Sequence, residues 1–408
     1  MSLLLSDLTD DVLRKLVLEY APVPFALKAT CKAMRRAAPE RTETPIQRVV
    51  VSLKLISWAR AMGMGWKGKK VMQAAAAAGD LSAVVYACEM HAPRDQEAVY
   101  AACRHGHLDV LDWLVGSGCP WKEKNENDDP LSGGRACSAA AKGGHLHVLQ
   151  FLRSRQMNAK WTTNTPRCAA ERGHLEVLRW AIENRCPVDD YTYHGAAMYG
   201  HVHILEYLHT TRVTYDAFAA NAAAGQGHVH VLEWFKEHGY ILWQDRILQC
   251  AARENQIKVL EWACSQPSTR FYRATGLTAD IMAEAAKGGH VEAMQWLRDH
   301  GTDWNTYVSD AAAREGKLEA LRWLVDKGCP LDPDAAINAC CEDEYNETLE
   351  AFVWLVETYA PLTGWRYLEP TCNIKIIEWL GERYPKEIKE YYEGGGGGVW
   401  YPEESEEY

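Results

Sequence analysis

Along Leu175–Glu183, apolar residues (Leu175, Val177, Leu178, Trp180, Ala181, Ile182) are interrupted by Glu176, Arg179 and Glu183. That spacing is the signature of a helix with a broad apolar face, wider than one resting on a single core needs, so neighbours must cover it from both sides. The phrase that carries it, Gly173-His-Leu-Glu-Val-Leu-Arg-Trp180, returns as Gly106-His-Leu-Asp-Val-Leu-Asp-Trp113, Gly200-His-Val-His-Ile-Leu-Glu-Tyr207, Gly227-His-Val-His-Val-Leu-Glu-Trp234 and Gly289-His-Val-Glu-Ala-Met-Gln-Trp296. Weaker copies begin at Val51, Gly79, Gly144, Asn255, Gly316, Glu347 and Cys372, which makes twelve. Several spacings are 27 residues, and longer gaps place insertions near 120–132, 266–276 and 342–346.

Before each Gly stands an Ala-rich stretch such as Asp216-Ala-Phe-Ala-Ala-Asn-Ala-Ala-Ala224, a strong helix former with side chains small enough for close helix approach. The Gly then supplies the left-handed residue that ends a helix, and the second helix starts at once. Each unit is therefore an antiparallel helix pair. One pair of this size buries too little apolar surface to stand alone, whereas stacked copies share a continuous core. The predicted fold is all-α, a solenoid of about twelve short helix-pair repeats over residues 46–385.

These repeats resemble the ankyrin family in the Ala-rich first helix, the Gly-His turn and the Leu-x-x-Leu second helix. They depart from it in a period near 27 rather than 33 and in lacking the Thr-Pro-Leu-His opening of the first helix. The resemblance implies a protein-binding scaffold, and the short period argues against long β-hairpin fingers.

Residues 1–45 form a separate helical module. Thr9 can cap a helix whose first turn holds Asp10 and Asp11, with Leu13, Leu16, Val17 and Tyr20 on one face. After Pro22 and Pro24 comes Phe25-Ala-Leu-Lys-Ala-Thr-Cys-Lys-Ala-Met-Arg-Arg36. The segment resembles an F-box. Leu8, Asp10, Asp11, Val12, Leu13, Leu16 and Val17 match the first half of that motif, and Cys31, Lys32, Arg35 and Arg36 the second, with Thr9 and Met34 standing where Pro and Trp are usual. The resemblance implies docking on a Skp1-like adaptor of a cullin-RING ubiquitin ligase through Leu8, Asp10, Val12, Leu13, Leu16 and Val17, while the repeats hold an unknown target protein. The competing expectation is an ankyrin-type interaction protein whose first 45 residues merely cap the stack.

Composition narrows the partners. A net charge of −11 over 408 residues argues against wholesale nucleic-acid binding, which depends on Lys and Arg neutralising phosphates. No apolar run is long enough for a membrane span, and the acidic residues near the start are unlike a signal peptide. Thirteen cysteines without a CxxC pair, many at matching repeat positions, suit packing in a reducing, intracellular compartment. Residues 386–408, with the Gly394–Gly398 run and Glu403–Glu407, read as a flexible acidic tail. The chain is expected to be a monomer outside its complex.

Several apparent sites reduce to repeat structure. Gly63-Met-Gly-Trp-Lys-Gly68 satisfies a dinucleotide pattern but lies between helices rather than between a strand and a helix. The pairs His145/His147, His201/His203 and His228/His230 are two residues apart, whereas a helical zinc site needs four, and the recurring first His suits a hydrogen-bonded ladder between successive turns. The Trp that recurs at 58, 113, 180, 234, 262, 296, 323, 354 and 379 suits packing within and between repeats. Trp66, Trp121 and Trp304 come eight residues after that position, in the inter-repeat turns, and are candidate anchors for the target. The Cys119-Pro, Cys186-Pro and Cys329-Pro turns are periodic and therefore structural. The sequence offers no catalytic constellation and calls for no cofactor or metal.

Overall fold

The computed structural model describes residues 69–89, 91–120, 134–154, 157–211, 213, 215, 218–266, 276–342, 348–360, 373–387 and 389. The F-box-like residues Leu8, Asp10, Val12, Leu13, Leu16 and Val17, the candidates Trp66 and Trp121, the Gly63–Gly68 stretch and the tail from residue 390 lie outside them.

The described elements are helices, and they come in pairs. In chain order the pairs are α1 (Lys69–Ala78) with α2 (Leu81–Glu89), α3 (Gln96–His105) with α4 (Leu108–Gly116), α5 (Arg135–Gly143) with α6 (Leu146–Arg153), and α7 (Asn164–Glu171) with α8 (Leu175–Glu183). Then follow α9 (Tyr191–Met198) with α10 (Val202–Thr211), α11 (Phe218–Gly225) with α12 (Val229–Glu237), and α13 (Gln244–Arg253) with α14 (Ile257–Ser265). The last are α15 (Ala279–Gly288) with α16 (Val291–Asp299), α17 (Thr306–Arg314) with α18 (Leu318–Asp326), α19 (Pro333–Cys341) with α20 (Leu349–Tyr359), and α21 (Ile374–Arg383). This is the helix-pair repeat architecture read from the sequence, with the turns at Gly79, Gly106, Gly144, Gly173, Gly200, Gly227, Gly289 and Gly316 where the periodic Gly placed them.

The turn is built the same way each time. At Gly106, φ is 82°, and the N–H groups of Gly106 and His107 both close on Ala102 O, so the last turn of α3 is terminated as a left-handed cap. Only glycine takes this conformation without strain. At the one weaker copy that begins with Asn, Asn255 adopts φ 56°, the left-handed region that Asn tolerates better than other side chains.

The chain divides into two compact units, residues 1–196 with 203–215 and residues 197–202 with 216–408. In the first, α1, α3, α5 and α7 pack each on the next; in the second, α11, α13, α15, α17 and α19 do so. The insertions read near 120–132 and 266–276 separate these helices in sequence and not in packing, because α3 meets α5 and α13 meets α15. First helices can approach closely because Ala fills their inner sides: Ala98, Ala102, Ala140 and Ala169 are fully buried. The second helices contribute the bulk of the core, for example Val110, Leu111 and Leu114 of α4, each fully buried and each stabilising by roughly 1.5–3 kcal/mol relative to an exposed position.

The recurring Trp divides between two environments. Trp234 and Trp262 are buried, at 5% and 8% exposure, whereas Trp113, Trp180, Trp296, Trp323, Trp354 and Trp379 are half-buried at the rim of the core. Their role is largely packing between a second helix and the following or preceding turn. Glu176, Glu206, Glu233 and Glu319 are all exposed, as their outward repeat position requires.

Candidate protein-binding face

The inter-repeat turns are locked by three periodic contacts. The first is the imidazole ladder. His107 Nε2 donates to Ala77 O at 3.1 Å, and the rings of His145 and His228 bond in the same sense to the backbone carbonyls of Arg104 and Met198. Each ring therefore reaches back to the carbonyl two residues before the preceding turn glycine. The second His of each pair donates to that glycine itself: His147 to Gly106 O, His203 to Gly173 O and His230 to Gly200 O, all at 3.0 Å. The His pairs are thus structural links between successive turns. Among the described residues no group of His, Cys, Asp and Glu is arranged to hold a metal ion.

The second is a thiol contact. Cys119 Sγ donates to Asp95 O at 3.3 Å, Cys186 to Thr162 O at 3.6 Å and Cys329 to Asn305 O at 3.6 Å, each across 24 residues. Burial pushes these thiols up to about 11, about 12 and about 11, which keeps them protonated donors at neutral pH.

The third is an aromatic wedge. Trp304 is half-buried, with Arg298 stacked over it at 3.9 Å and Trp323 edge-on at 6.1 Å. Trp161 repeats the arrangement with Arg153 at 4.1 Å and Trp180 at 5.9 Å. Trp243, at the same distance before its turn residue Asn255, is 49% exposed. Trp304 is therefore a partly covered rim residue and not a free-standing one.

Exposed aromatics that the sequence reading passed over share another periodic position. Tyr191, Phe218 and Tyr307 each stand nine residues before the turn glycine of their repeat, at the start of a first helix, and are 57%, 65% and 42% exposed. The signal was available in the spacing, but Tyr or Phe at that site alternates with charged residues such as Glu97, Arg135 and Arg246, so no hydrophobic pattern betrays it. Cations flank these rings: Arg167 lies 5.6 Å from Tyr191 and Lys287 lies 6.0 Å from Tyr307. Exposed aromatics flanked by cations, at one repeat position within each unit, are suited to protein recognition rather than to chemistry on a small substrate.

One stretch of the repeats matches a known family in sequence. Residues 99–191 match the family model of ankyrin repeats, in three copies. That stretch is an ankyrin array. Among solved structures the chain is similar to the ankyrin repeat domain of human ASB11, at 17% sequence identity and a TM-score of 0.31, over 55% of this chain and 96% of that one. No curated protein sequence matches the chain. Ankyrin repeats are protein-interaction scaffolds. Among the described residues no helix is long and apolar enough to cross a membrane.

Proposed function

We propose that the chain is the substrate-recognition subunit of a Skp1-cullin-F-box type ubiquitin ligase, with residues 1–45 docking a Skp1-like adaptor and the ankyrin repeats holding a target protein. The observation that supports the scaffold half is the periodic exposure of Tyr191, Phe218 and Tyr307 on a backbone held by the imidazole and thiol contacts. Such a surface orders few side chains on binding, because the backbone beneath is already fixed. Support for the adaptor half is the F-box-like pattern of Leu8, Asp10, Val12, Leu13, Leu16 and Val17. The chain would catalyse nothing itself. It would raise the effective concentration of the target's lysines near a ubiquitin-loaded enzyme that other subunits supply. Trp66, Trp121 and Trp304 are proposed target contacts, Trp304 acting together with the Arg298 that covers it.

The test is capture of purified Skp1 by the full chain, beside a chain lacking residues 1–45 and a Leu13→Asp/Leu16→Asp variant. Capture by the full chain alone is the expected result. Equal capture by all three, or by none, would leave an ankyrin-type interaction protein with no ubiquitin link.

A further inference from the structure

One position in the repeat, two residues before the turn residue, is cationic in most described copies, and the two units treat it differently. In the second unit every such cation lies within ion-pair distance of a carboxylate: Arg253 of Glu284 at 3.4 Å, Lys287 of the same Glu284 at 2.7 Å, and Arg314 of Glu342 at 2.9 Å. In the first unit the same position holds Arg104 and Lys142, on the adjacent first helices α3 and α5, and neither has an acidic partner among the described residues. The next copy holds Glu171, which Arg167 already occupies at 2.9 Å.

These groups form one patch, because α3, which carries Arg104, packs on α5, which carries Lys142, and α5 packs in turn on α7, which carries Arg167. Arg104, Lys142 and Arg167 all act electrostatically on the half-buried Cys168 thiol of α7, opposed there by Glu171 alone. Arg135 extends the patch toward the helix N termini, stacked 4.9 Å over Tyr100 and 3.2 Å from Glu97. The carboxylates at those N termini are engaged elsewhere. Asp95 caps Ala98 N and accepts from Gln73, and Asp190 accepts from Tyr191 N. Unpaired cations on neighbouring helices repel one another, and in a chain of net charge −11 carboxylates to pair them are plentiful, as the second unit demonstrates. Their absence from this patch is therefore a feature that an incoming anion would complete.

We infer that the first-helix face of the first unit, centred on Arg104 and Lys142 and bordered by Arg167 with Tyr191, docks an acidic segment of a partner protein. The patch is two unpaired cations wide, which suits a short run of Asp and Glu. A long polyanion would meet the negative charge of the rest of the chain, so a protein segment is favoured over nucleic acid. The inference deepens the protein-binding reading by giving the partner's charge class, and it is independent of residues 1–45.

The experiment is fluorescence anisotropy of the full chain with labelled Glu-rich, Gln-rich and Lys-rich peptides of equal length. The Glu-rich peptide is expected to bind best and to weaken as salt rises, because exposed charge pairs are screened. An Arg104→Ala/Lys142→Ala variant with unchanged helicity should bind it about tenfold less tightly, while Lys258→Ala/Lys327→Ala, which removes two exposed cations of the second unit, should bind as the parent does. Equal binding by the parent and the Arg104/Lys142 variant would overturn the assignment. Preference for the Gln-rich or Lys-rich peptide would overturn the charge class while leaving protein binding intact, and tighter binding of a single-stranded oligonucleotide of matched charge would overturn both. Skp1 capture, which depends on residues 1–45, separately reports on the ligase reading.

Discussion

The guanidinium carbon of Arg298 lies 3.9 Å from the ring centroid of Trp304, and Nη1 of the same arginine donates to Thr302 O at 2.6 Å. Arg153 makes both contacts in its own repeat, over Trp161 and to Ala159 O. One side chain thus closes the turn and covers the indole that begins the next repeat. Arg298→Lys keeps the charge but loses the planar stack and the forked donor set. It should lower stability by about 1 kcal/mol, read as a reduced urea midpoint. An unchanged midpoint would show that the stack is incidental.

The turn glycines should differ in their tolerance of a methyl group. Gly106 has φ 82°, and a Cβ there would come 2.5 Å from His145 Nδ1, so Gly106→Ala combines backbone strain with loss of an imidazole link. Gly118 has φ 79° with open space around it, so Gly118→Ala carries the strain alone. Denaturation should show a cost of about 1 kcal/mol at Gly118 and clearly more at Gly106. Equal costs would mean that the ladder adds nothing to the turn.

Acidification should weaken the ladder. Burial lowers the pKa of His145 and His228 below the ordinary 6.5, with the neighbouring His147 and His230 adding to the effect. A base whose folded pKa is depressed binds fewer protons folded than unfolded, so stability is present above about 6.5 and falls as pH drops below it. The urea midpoint at pH 5.5 should therefore lie below that at 7.5. A His145→Gln/His228→Gln chain should show a flatter dependence; Gln256 already fills the equivalent place over Gly227. A wild-type midpoint constant across this range would contradict the assignment.

Thiol labelling should follow burial. Cys264 is exposed, whereas Cys119, Cys186 and Cys329 are buried donors whose thiols are pushed up to about 11, 12 and 11. Burial raises the Cys264 thiol too, so alkylation at pH 7.5 followed by peptide mapping should modify Cys264 slowly but in the native chain, and the three turn thiols only after denaturant is added. Rapid labelling of Cys186 in the native chain would show that its turn opens.

Much of the architecture was legible before any coordinates. The Gly-His register located the turns at Gly106, Gly173, Gly200, Gly227 and Gly289, and α4, α8, α12 and α16 begin two residues after their glycines. Even the Asn255 copy obeys it. The reason is local: helix propensity, a left-handed terminator and a 3.6-residue apolar period act over a few residues, and repetition multiplies a weak signal. The expected ladder of first histidines was also correct, and the structure added the second His of each pair as a link to the preceding glycine.

What the sequence by itself determined is the repeat: its period, its two helices, its glycine turns and the side chains that recur for structural reasons. Only the tertiary structure decided which cations have partners. Arg104, Lys142, Arg253 and Arg314 are equivalent in sequence register, yet Arg253 and Arg314 meet a carboxylate of the next repeat while Arg104 and Lys142 have none among the described residues; Lys287 pairs locally, with Glu284 of its own helix. Ion pairing between repeats depends on residues 28 to 31 positions apart that meet only when the helices stack, as Arg314 meets Glu342 and Arg253 meets Glu284. The same holds for Trp304, whose exposure is set by Arg298 of α16 and Trp323 of α18, contacts that a one-dimensional pattern does not contain.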